Sequence, residues 1–177
     1  MKTISNLFEI KYLQLDVSDW YRKKPLIENL LSGVPNTRQN VQNFSTNKQS
    51  NTDSLIQPFL DILKDEFSEI SKFLNNNLHL KSLWSVEYSK HDYHSVHSHG
   101  HQGYSGILYL NYIEGHPATS FIQPWSDSYS DMTIHRKTNA VEGRIIVTPS
   151  FLNHFSPPNK LDELKKIVAF DIGFANE

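Results

Sequence analysis

Residues 91–101 read His-Asp-Tyr-His-Ser-Val-His-Ser-His-Gly-His and contain five of the nine histidines of this 177-residue chain. His97 and His99 are the most informative pair, because side chains two residues apart on a β-strand point to the same face. Both imidazoles can therefore converge on one metal ion. His91, His94 and His101 fit a simpler interpretation, a solvated polar tract that binds metal weakly.

A third ligand has to come from another part of the chain. Residues 143–149 read Gly-Arg-Ile-Ile-Val-Thr-Pro, a run of branched apolar residues that predicts a strand ending at the proline. His154 follows that strand. A set of His97, His99 and His154 would bind a metal from one side and leave positions open for water, oxygen or a substrate. Catalytic metal sites have this arrangement, and closed structural sites lack it.

Composition narrows the classes of function. Nineteen acidic and seventeen basic side chains give a formal net charge of -2, which offers no broad attraction for nucleic acid or anionic membrane. Cysteine is absent, so any metal must be held by imidazole and oxygen ligands. The chain has no apolar run of the length of a signal peptide or a membrane span. We therefore expect a soluble, cytoplasmic protein; its partners and oligomeric state stay open.

The N-terminal part is predicted to be helical, with one strand. Residues 7–15 alternate enough to form an edge strand, and Ser18 or Asp19 can cap a short helix that is interrupted at Pro25. Residues 37–54 are rich in Asn, Gln, Ser and Thr, which predicts an exposed loop. A long amphipathic helix is expected next, because apolar residues recur at three and four positions. These residues are Ile56, Phe59, Leu60, Leu63, Phe67, Ile70 and Leu74.

The C-terminal part changes to short runs typical of strands, punctuated by turn residues. The expected strands cover residues 83–88, 93–99, 105–112, 119–122, 143–148 and 166–172. Such a pattern favours antiparallel strands in a jelly roll, buttressed by the N-terminal helices. We predict a single domain over residues 1–177, with a helical and edge-strand part at 1–78 and a jelly-roll part at 79–177.

Residues 123–142 form a long connection between two expected strands. Trp125, Tyr129 and Arg136 in this segment are residue types suited to contacting a substrate. An ordinary surface loop is the alternative interpretation.

Several of these segments together resemble a known family. The His97-Ser98-His99 step leads into Ser105-Gly106-Ile107-Leu108-Tyr109, and Thr148-Pro149-Ser150 precedes His154. Phe170-Asp171 stands where the last strand of that family has Phe-Asn. This pattern is similar to that of the putative 2-oxoglutarate and Fe(II)-dependent oxygenases of bacteria and their phages, and the likeness extends over most of the chain.

The resemblance implies a double-stranded β-helix with Fe(II) at one mouth, and 2-oxoglutarate and O₂ as co-substrates. The reaction it implies is a dioxygenase reaction that hydroxylates an unidentified substrate. The implied metal ligands are His97, His99 and His154. Lys165 would bind the far carboxylate of 2-oxoglutarate, with Lys166 as the alternative if the register differs by one residue. The Tyr109 hydroxyl would donate to the same carboxylate, and a packed core tyrosine is the alternative interpretation.

Two departures from the family's wider pattern leave other functions open. His99 stands where the superfamily has a carboxylate ligand, and Lys165 stands where it has Arg. A cupin-like enzyme could use the same three histidines without 2-oxoglutarate, although Gly103 and Tyr104 stand where such enzymes need a Glu. A non-catalytic jelly-roll binding module is the third possibility.

Overall fold

The computed structural model describes residues 9–39, 43–127 and 129–174. Most of its strands belong to one antiparallel sheet, the major sheet. These strands are β1 (Leu13–Asp16), β2 (Thr37–Gln39), β3 (Phe44–Thr46), β4 (Leu78–Tyr88), β6 (Tyr104–Asn111), β9 (Arg144–Pro149) and β11 (Lys165–Phe174). Their order across the sheet is β1-β9-β6-β11-β4-β3-β2. The N-terminal part thus supplies three strands to the sheet that the C-terminal part builds.

A second antiparallel sheet, the minor sheet, is made of four short strands. They are β5 (His94–His97), β7 (Ser120–Ile122), β8 (His135–Lys137) and β10 (His154–Ser156), in the order β5-β10-β7-β8. The two sheets form the expected double-stranded β-helix. Strands β8 and β10 were absent from the sequence prediction, because each has three residues, which are too few to show a period of two.

Helices α1 (Trp20–Ser32), α2 (Asp53–Ile62) and α3 (Lys64–Leu74) supply side chains to one side of the major sheet. Alternation along the strands divides the apolar residues into two clusters. The helix-side cluster contains the helix residues together with Leu83, Leu108, Val147, Val168 and Phe170. The cavity-side cluster contains Trp84, Val86, Ile107, Tyr109, Ile146, Ile167 and Ala169. The space between the two sheets is therefore lined by alternate residues of the same strands.

Gly106 in β6 is required by packing on the helix side. A Cβ atom at this position would lie 2.1 Å from ring atoms of Phe170 on the neighbouring strand. Phe170 is fully buried between β6 and the helices. In the Ser105-Gly106 pair of the sequence pattern, packing against Phe170 therefore requires the glycine.

The prediction of an exposed loop over residues 37–54 is wrong for the part that forms strands β2 and β3, whereas residues 48–51 are exposed as expected. Phe44 and Asn47 are buried, at 3% and 1% exposure. The Asn47 carboxamide accepts the backbone N–H of Ser85 at 2.8 Å and donates to the carbonyl of Val34 at 3.1 Å. The side chain of Asn47 thus pairs with backbone groups of the protein instead of water, which composition alone does not reveal.

Two helix predictions need correction. The apolar stripe of residues 56–74 belongs to two helices, because Leu63 has non-helical dihedral angles (φ -107°, ψ 30°) and separates α2 from α3. Helix α1 is not interrupted at Pro25, which is exposed, while Ile27 and Leu31 beyond it are buried. The predicted edge strand is β1, which is shorter than expected; residues 7 and 8 lie outside the described residues.

Candidate metal centre

Three histidines from two neighbouring strands converge at one end of the cavity. His97 on β5 and His154 on β10 are direct partners across the minor sheet. His99 follows β5, and its backbone N–H donates to the carbonyl of Ser150 at 2.9 Å. One ring nitrogen from each histidine lies within 4.8 Å of the other two. The structure thus brings together the three residues that the sequence indicated as a metal site.

Hydrogen bonds determine which nitrogen of each ring is free. The Nδ1 atoms of His97 and His154 lie 2.8 Å and 3.0 Å from the carbonyl oxygens of Ser95 and Leu152. A carbonyl only accepts, so each Nδ1 carries the proton and donates it. The Nδ1 of His99 lies 2.6 Å from Oδ1 of Asp171. All three Nε2 atoms therefore keep their lone pairs for a metal, as the ligands of protein metal sites do.

Electrostatics keep two of these rings neutral. Burial is the largest cause that lowers the pKa of His97, to about 4, and that of His154, to about 3. A neutral imidazole is the form that binds metal. The donor set is consequently ready to accept a cation at pH 7 without first losing protons from these two residues.

Aromatic side chains enclose the cluster. The Trp84 ring stacks on His99 with centroids 5.5 Å apart, and His94 stacks on His97 at 3.8 Å. The other side of His94 faces Phe44 at 4.2 Å. The interpretation of His94 as part of a solvated tract is therefore wrong, because the strand places its ring inside the cavity wall. His91 and His101 are exposed, as expected.

A carboxylate lies directly behind His99. Asp171 accepts hydrogen bonds from His99 Nδ1, from Ser82 Oγ at 2.8 Å and from Ser105 Oγ at 2.9 Å. Burial acts to raise the pKa of Asp171, but the hydrogen bond from His99, together with those from the two serines, holds this pKa below its ordinary value. Asp171 is therefore an anion in contact with one candidate metal ligand, His99.

A buried lysine lies near the same cavity. Lys165 is 0% exposed, and its Nζ donates to Ser156 Oγ at 2.7 Å and to the carbonyl of Pro117 at 2.8 Å. Within residues 9–39, 43–127 and 129–174, no carboxylate pairs with it. Burial lowers the pKa of Lys165 to about 7. A buried amine without a charged partner can accept an anion from outside the chain, which would stabilise its protonated form.

The register of β11 distinguishes the two candidate lysines. Ile167 and Ala169 line the cavity, and Asp171 reaches His99, so the face that starts at Lys165 points inward. Lys166 lies on the opposite face and pairs with Glu87 at 2.8 Å. Lys165 is therefore the lysine that the strand directs toward the cavity.

The structure places a different tyrosine beside this lysine. Lys165 Nζ lies 4.6 Å from the ring centroid of Tyr88, a cavity-lining residue that sequence reasoning missed. The Tyr109 hydroxyl instead accepts the N–H of Thr119 and lies 3.3 Å from Thr138 Oγ1. Tyr88 ends β4, where the pattern of Leu83–Tyr88 predicted a strand but gave no reason to single out its last residue.

A larger cavity adjoins the histidine cavity. The histidine cavity has about 30 Å³ of free volume, whereas the neighbouring one has about 270 Å³. Thr148 lines both. Trp125 and Arg136 line the larger cavity. Tyr129 is fully exposed and does not line it, so its contact with a substrate stays a prediction.

Solved structures share this architecture. The non-heme alpha ketoglutarate dependent epimerase SnoN from nogalamycin biosynthesis superposes with a TM-score of 0.74 at 9% identity, over 94% of this chain and 78% of that one. HygX from Streptomyces hygroscopicus, with nickel, 2-oxoglutarate and hygromycin B bound, gives 0.68 at 10%, over 94% and 84%. A Pseudomonas putida prolyl-4-hydroxylase gives 0.60 at 10%, over 92% of each chain.

The chain has the fold of the 2-oxoglutarate and Fe(II)-dependent oxygenases. The resemblance inferred from the sequence is thereby confirmed at the level of fold. No protein-family model and no curated protein matches the sequence. In the described residues, no helix is both long and apolar enough to cross a membrane.

Proposed function

We propose that this protein is an Fe(II)- and 2-oxoglutarate-dependent dioxygenase that hydroxylates a substrate yet to be identified. The observation that carries the proposal is Lys165, a buried amine without a carboxylate partner in the described residues, next to a cavity that also holds three histidines. A carboxylate bound beside it would stabilise its protonated form. A metal site alone would suit many enzymes. A metal site with a separate buried anion site suits a co-substrate that has a chelating end and a carboxylate at its other end.

The donor chemistry fits Fe(II). Three neutral imidazole nitrogens, oriented by acceptors at their Nδ1 atoms, form a ligand set that iron accepts. His97, His99 and His154 would hold the metal from one side. Fe(II), when bound there, supplies the positions at which the keto acid chelates and O₂ is activated.

The remaining residues would position the co-substrate and exclude water. Lys165 would bind the far carboxylate, together with the hydroxyl group of Ser156. Ala169 is small and lies on the same face of β11, which leaves space between the two ends. The free volume of about 30 Å³ holds roughly one water molecule, so side chains must move when a keto acid binds.

The adjoining cavity is our proposed substrate site. Phe121, Leu152 and Trp125 give it an apolar lining, and Arg136 adds a cation. The carbonyl of Leu152 accepts the hydrogen bond from His154, so this wall of the cavity lies next to the metal ligands. A substrate held there would present a C–H bond toward the open side of the metal.

Anaerobic titration of the Fe(II) protein with 2-oxoglutarate tests the proposal. A chelated keto acid gives a visible charge-transfer band, which should appear in the wild type and disappear in His99→Ala. In Lys165→Met the band should appear only at much higher 2-oxoglutarate concentration, because the far carboxylate has lost its cation. Lys166→Met is the matched control, since its side chain points away from the cavity and pairs with Glu87.

The other outcomes distinguish the alternatives. Fe(II) binding without a band, in the presence of saturating 2-oxoglutarate, would refute the proposal and favour a cupin-like enzyme. Failure to bind Fe(II) would refute both enzymes and favour a binding module.

A further inference from the structure

The hydrogen bonds behind His99 connect three separate motifs of the sequence. Ser105 comes from the Ser-Gly step on β6, Ser150 follows the Thr-Pro step of β9, and Asp171 lies on β11. Ser105 Oγ donates to Asp171 and lies 2.9 Å from Ser150 Oγ. The Ser150 carbonyl accepts the backbone N–H of His99. The chain thus uses residues from three regions to fix one carboxylate and one imidazole against each other.

The charge of this carboxylate matters because of what His99 replaces. In a site with two histidines and one carboxylate, the carboxylate ligand supplies a negative charge to the metal. Three neutral imidazoles supply none. In the part of the chain that the structure describes, Asp171 is the carboxylate that hydrogen-bonds one of the three histidines.

The three histidines have different acceptors. His97 and His154 donate to neutral carbonyl oxygens at 2.8 Å and 3.0 Å, whereas His99 donates to a carboxylate at 2.6 Å. A charge-assisted hydrogen bond of this kind increases electron donation from the ring to a metal. The histidine with the charged acceptor, His99, is the one that stands where related metal sites have a carboxylate ligand.

We propose that Asp171 is a positioning residue that supplies, through the His99 ring, the negative charge that a carboxylate ligand would supply directly. This inference rests on the proposed function, because it concerns the same metal. It assigns a role to Asp171 at the position where the similar family has Asn. Ser82 and Ser105 hold the carboxylate in place and leave its charge intact.

Metal affinity of variants separates charge from geometry. Asp171→Asn keeps an oxygen that can accept from His99 and Ser105, and the Ser82 hydroxyl can turn to accept from its amide, so mainly the charge is lost. We expect the Co(II) affinity, measured by calorimetry, to fall about 10- to 100-fold. Ser105→Ala, which leaves the charge, should weaken binding much less. Asp162→Asn removes an exposed carboxylate that pairs with Lys90, and it should leave affinity unchanged.

The Fe(III)/Fe(II) potential provides a readout that a purely structural role would not move. Loss of a nearby anion destabilises Fe(III) more than Fe(II), so the potential of Asp171→Asn should be higher than that of the wild type. An Asp171→Asn variant with wild-type affinity and potential would overturn the inference. Equal weakening by Ser105→Ala and Asp171→Asn would also overturn it, because geometry would then explain both.

A measurement on the wild type remains decisive if the variants do not fold. In the Zn(II)-loaded protein, the Nδ1 proton of His99 should resonate further downfield in NMR spectra than those of His97 and His154. The latter two serve as internal controls because their acceptors are carbonyls. If the Nδ1 proton of His99 has the same chemical shift as those of His97 and His154, the charge-assisted hydrogen bond is refuted.

The two proposals fail separately. Wild-type protein that binds Co(II) and responds to Asp171→Asn, but forms no keto-acid complex, would refute the dioxygenase and support the role of Asp171. A keto-acid complex that forms equally in wild type and Asp171→Asn, with equal Co(II) affinity, would refute only the role of Asp171. Wild-type protein that binds neither Co(II) nor Fe(II) would overturn both.

Discussion

Replacing the buried lysine should make the protein more stable and less able to bind its co-substrate. Lys165→Met keeps a side chain of similar length and removes the charge. The pKa of Lys165 falls from 10.5 to about 7 in the folded protein. At about 1.4 kcal/mol for each pKa unit, burial of the protonated amine destabilises the folded state by about 5 kcal/mol below pH 7, as an upper bound.

Lost hydrogen bonds offset part of this gain. Met does not donate to Ser156 or Pro117, and each lost bond at a buried group costs about 1 kcal/mol or more. The net expectation is a variant that is about 1 to 3 kcal/mol more stable than the wild type at pH 6.

The pH dependence has a definite sign. Between pH 7 and 10.5 the unfolded chain binds a proton on Lys165 that the folded chain has released, so wild-type stability rises with pH in this window. From pH 6 to pH 9 the rise from this residue amounts to about 3 kcal/mol. Lys165→Met lacks this contribution. Its stability advantage should therefore shrink or reverse at pH 9.

Urea unfolding of the metal-free proteins at pH 6 and pH 9 measures both effects. Lys165 is not among the causes that lower the pKa values of His97 and His154, so their contributions cancel in the difference between the two unfolding free energies. The charge of Lys165 helps to lower the pKa of His116, so loss of this charge adds to the advantage of the variant at pH 6. Lys166→Met should show no such pH-dependent difference, because Lys166 is partly exposed and paired with Glu87. A difference between wild type and Lys165→Met that is the same at both pH values would refute the desolvation of Lys165.

Four further outcomes are expected. His154→Ala should abolish Co(II) binding in calorimetry, since it removes one of three ligands. Acidification of the metal-free protein from pH 7 to pH 5 should lower its urea midpoint, because the depressed pKa values of His97 (about 4) and His154 (about 3) each cost about 2 kcal/mol at pH 5; an unchanged midpoint would contradict this. Gly106→Ala should destabilise the protein by about 2 kcal/mol or more in thermal unfolding, because its Cβ overlaps a buried ring. With any substrate that stimulates 2-oxoglutarate turnover, Trp125→Ala should raise the KM and Tyr129→Ala should not.

The sequence was most informative about side chains that lie within a few residues of one another along the chain. His97 and His99 converge as side chains two residues apart on an extended chain do, although β5 itself ends at His97. Lys165 shares a face with Ala169 because the side chains of a strand alternate. These relations depend on a few consecutive residues. They therefore survive errors in the strand boundaries, such as the later start of β5 at His94.

The sequence was least informative where partners are distant. Thr46 on β3 and Asn47 after it hydrogen-bond the backbone of Ser85 on β4, so no local pattern indicates their burial. Tyr88 comes beside Lys165 only through the pairing of β4 with β11. The contact between Asp171 and His99 spans 72 positions. Such contacts depend on which strands are paired in the sheets. The sequence pattern predicts the fold class, a jelly roll, but it does not specify the partner of each strand.

The division of the major sheet into a helix side and a cavity side has a consequence for how this protein can change. Alternate positions of β4, β6, β9 and β11 serve two separate tasks, since one set packs with the helices and the other surrounds the cavity. Substitutions confined to the cavity set leave the larger apolar cluster untouched. A mutant library restricted to those alternate positions should therefore yield many folded variants with altered selectivity, whereas a library at the intervening positions should yield mostly insoluble ones.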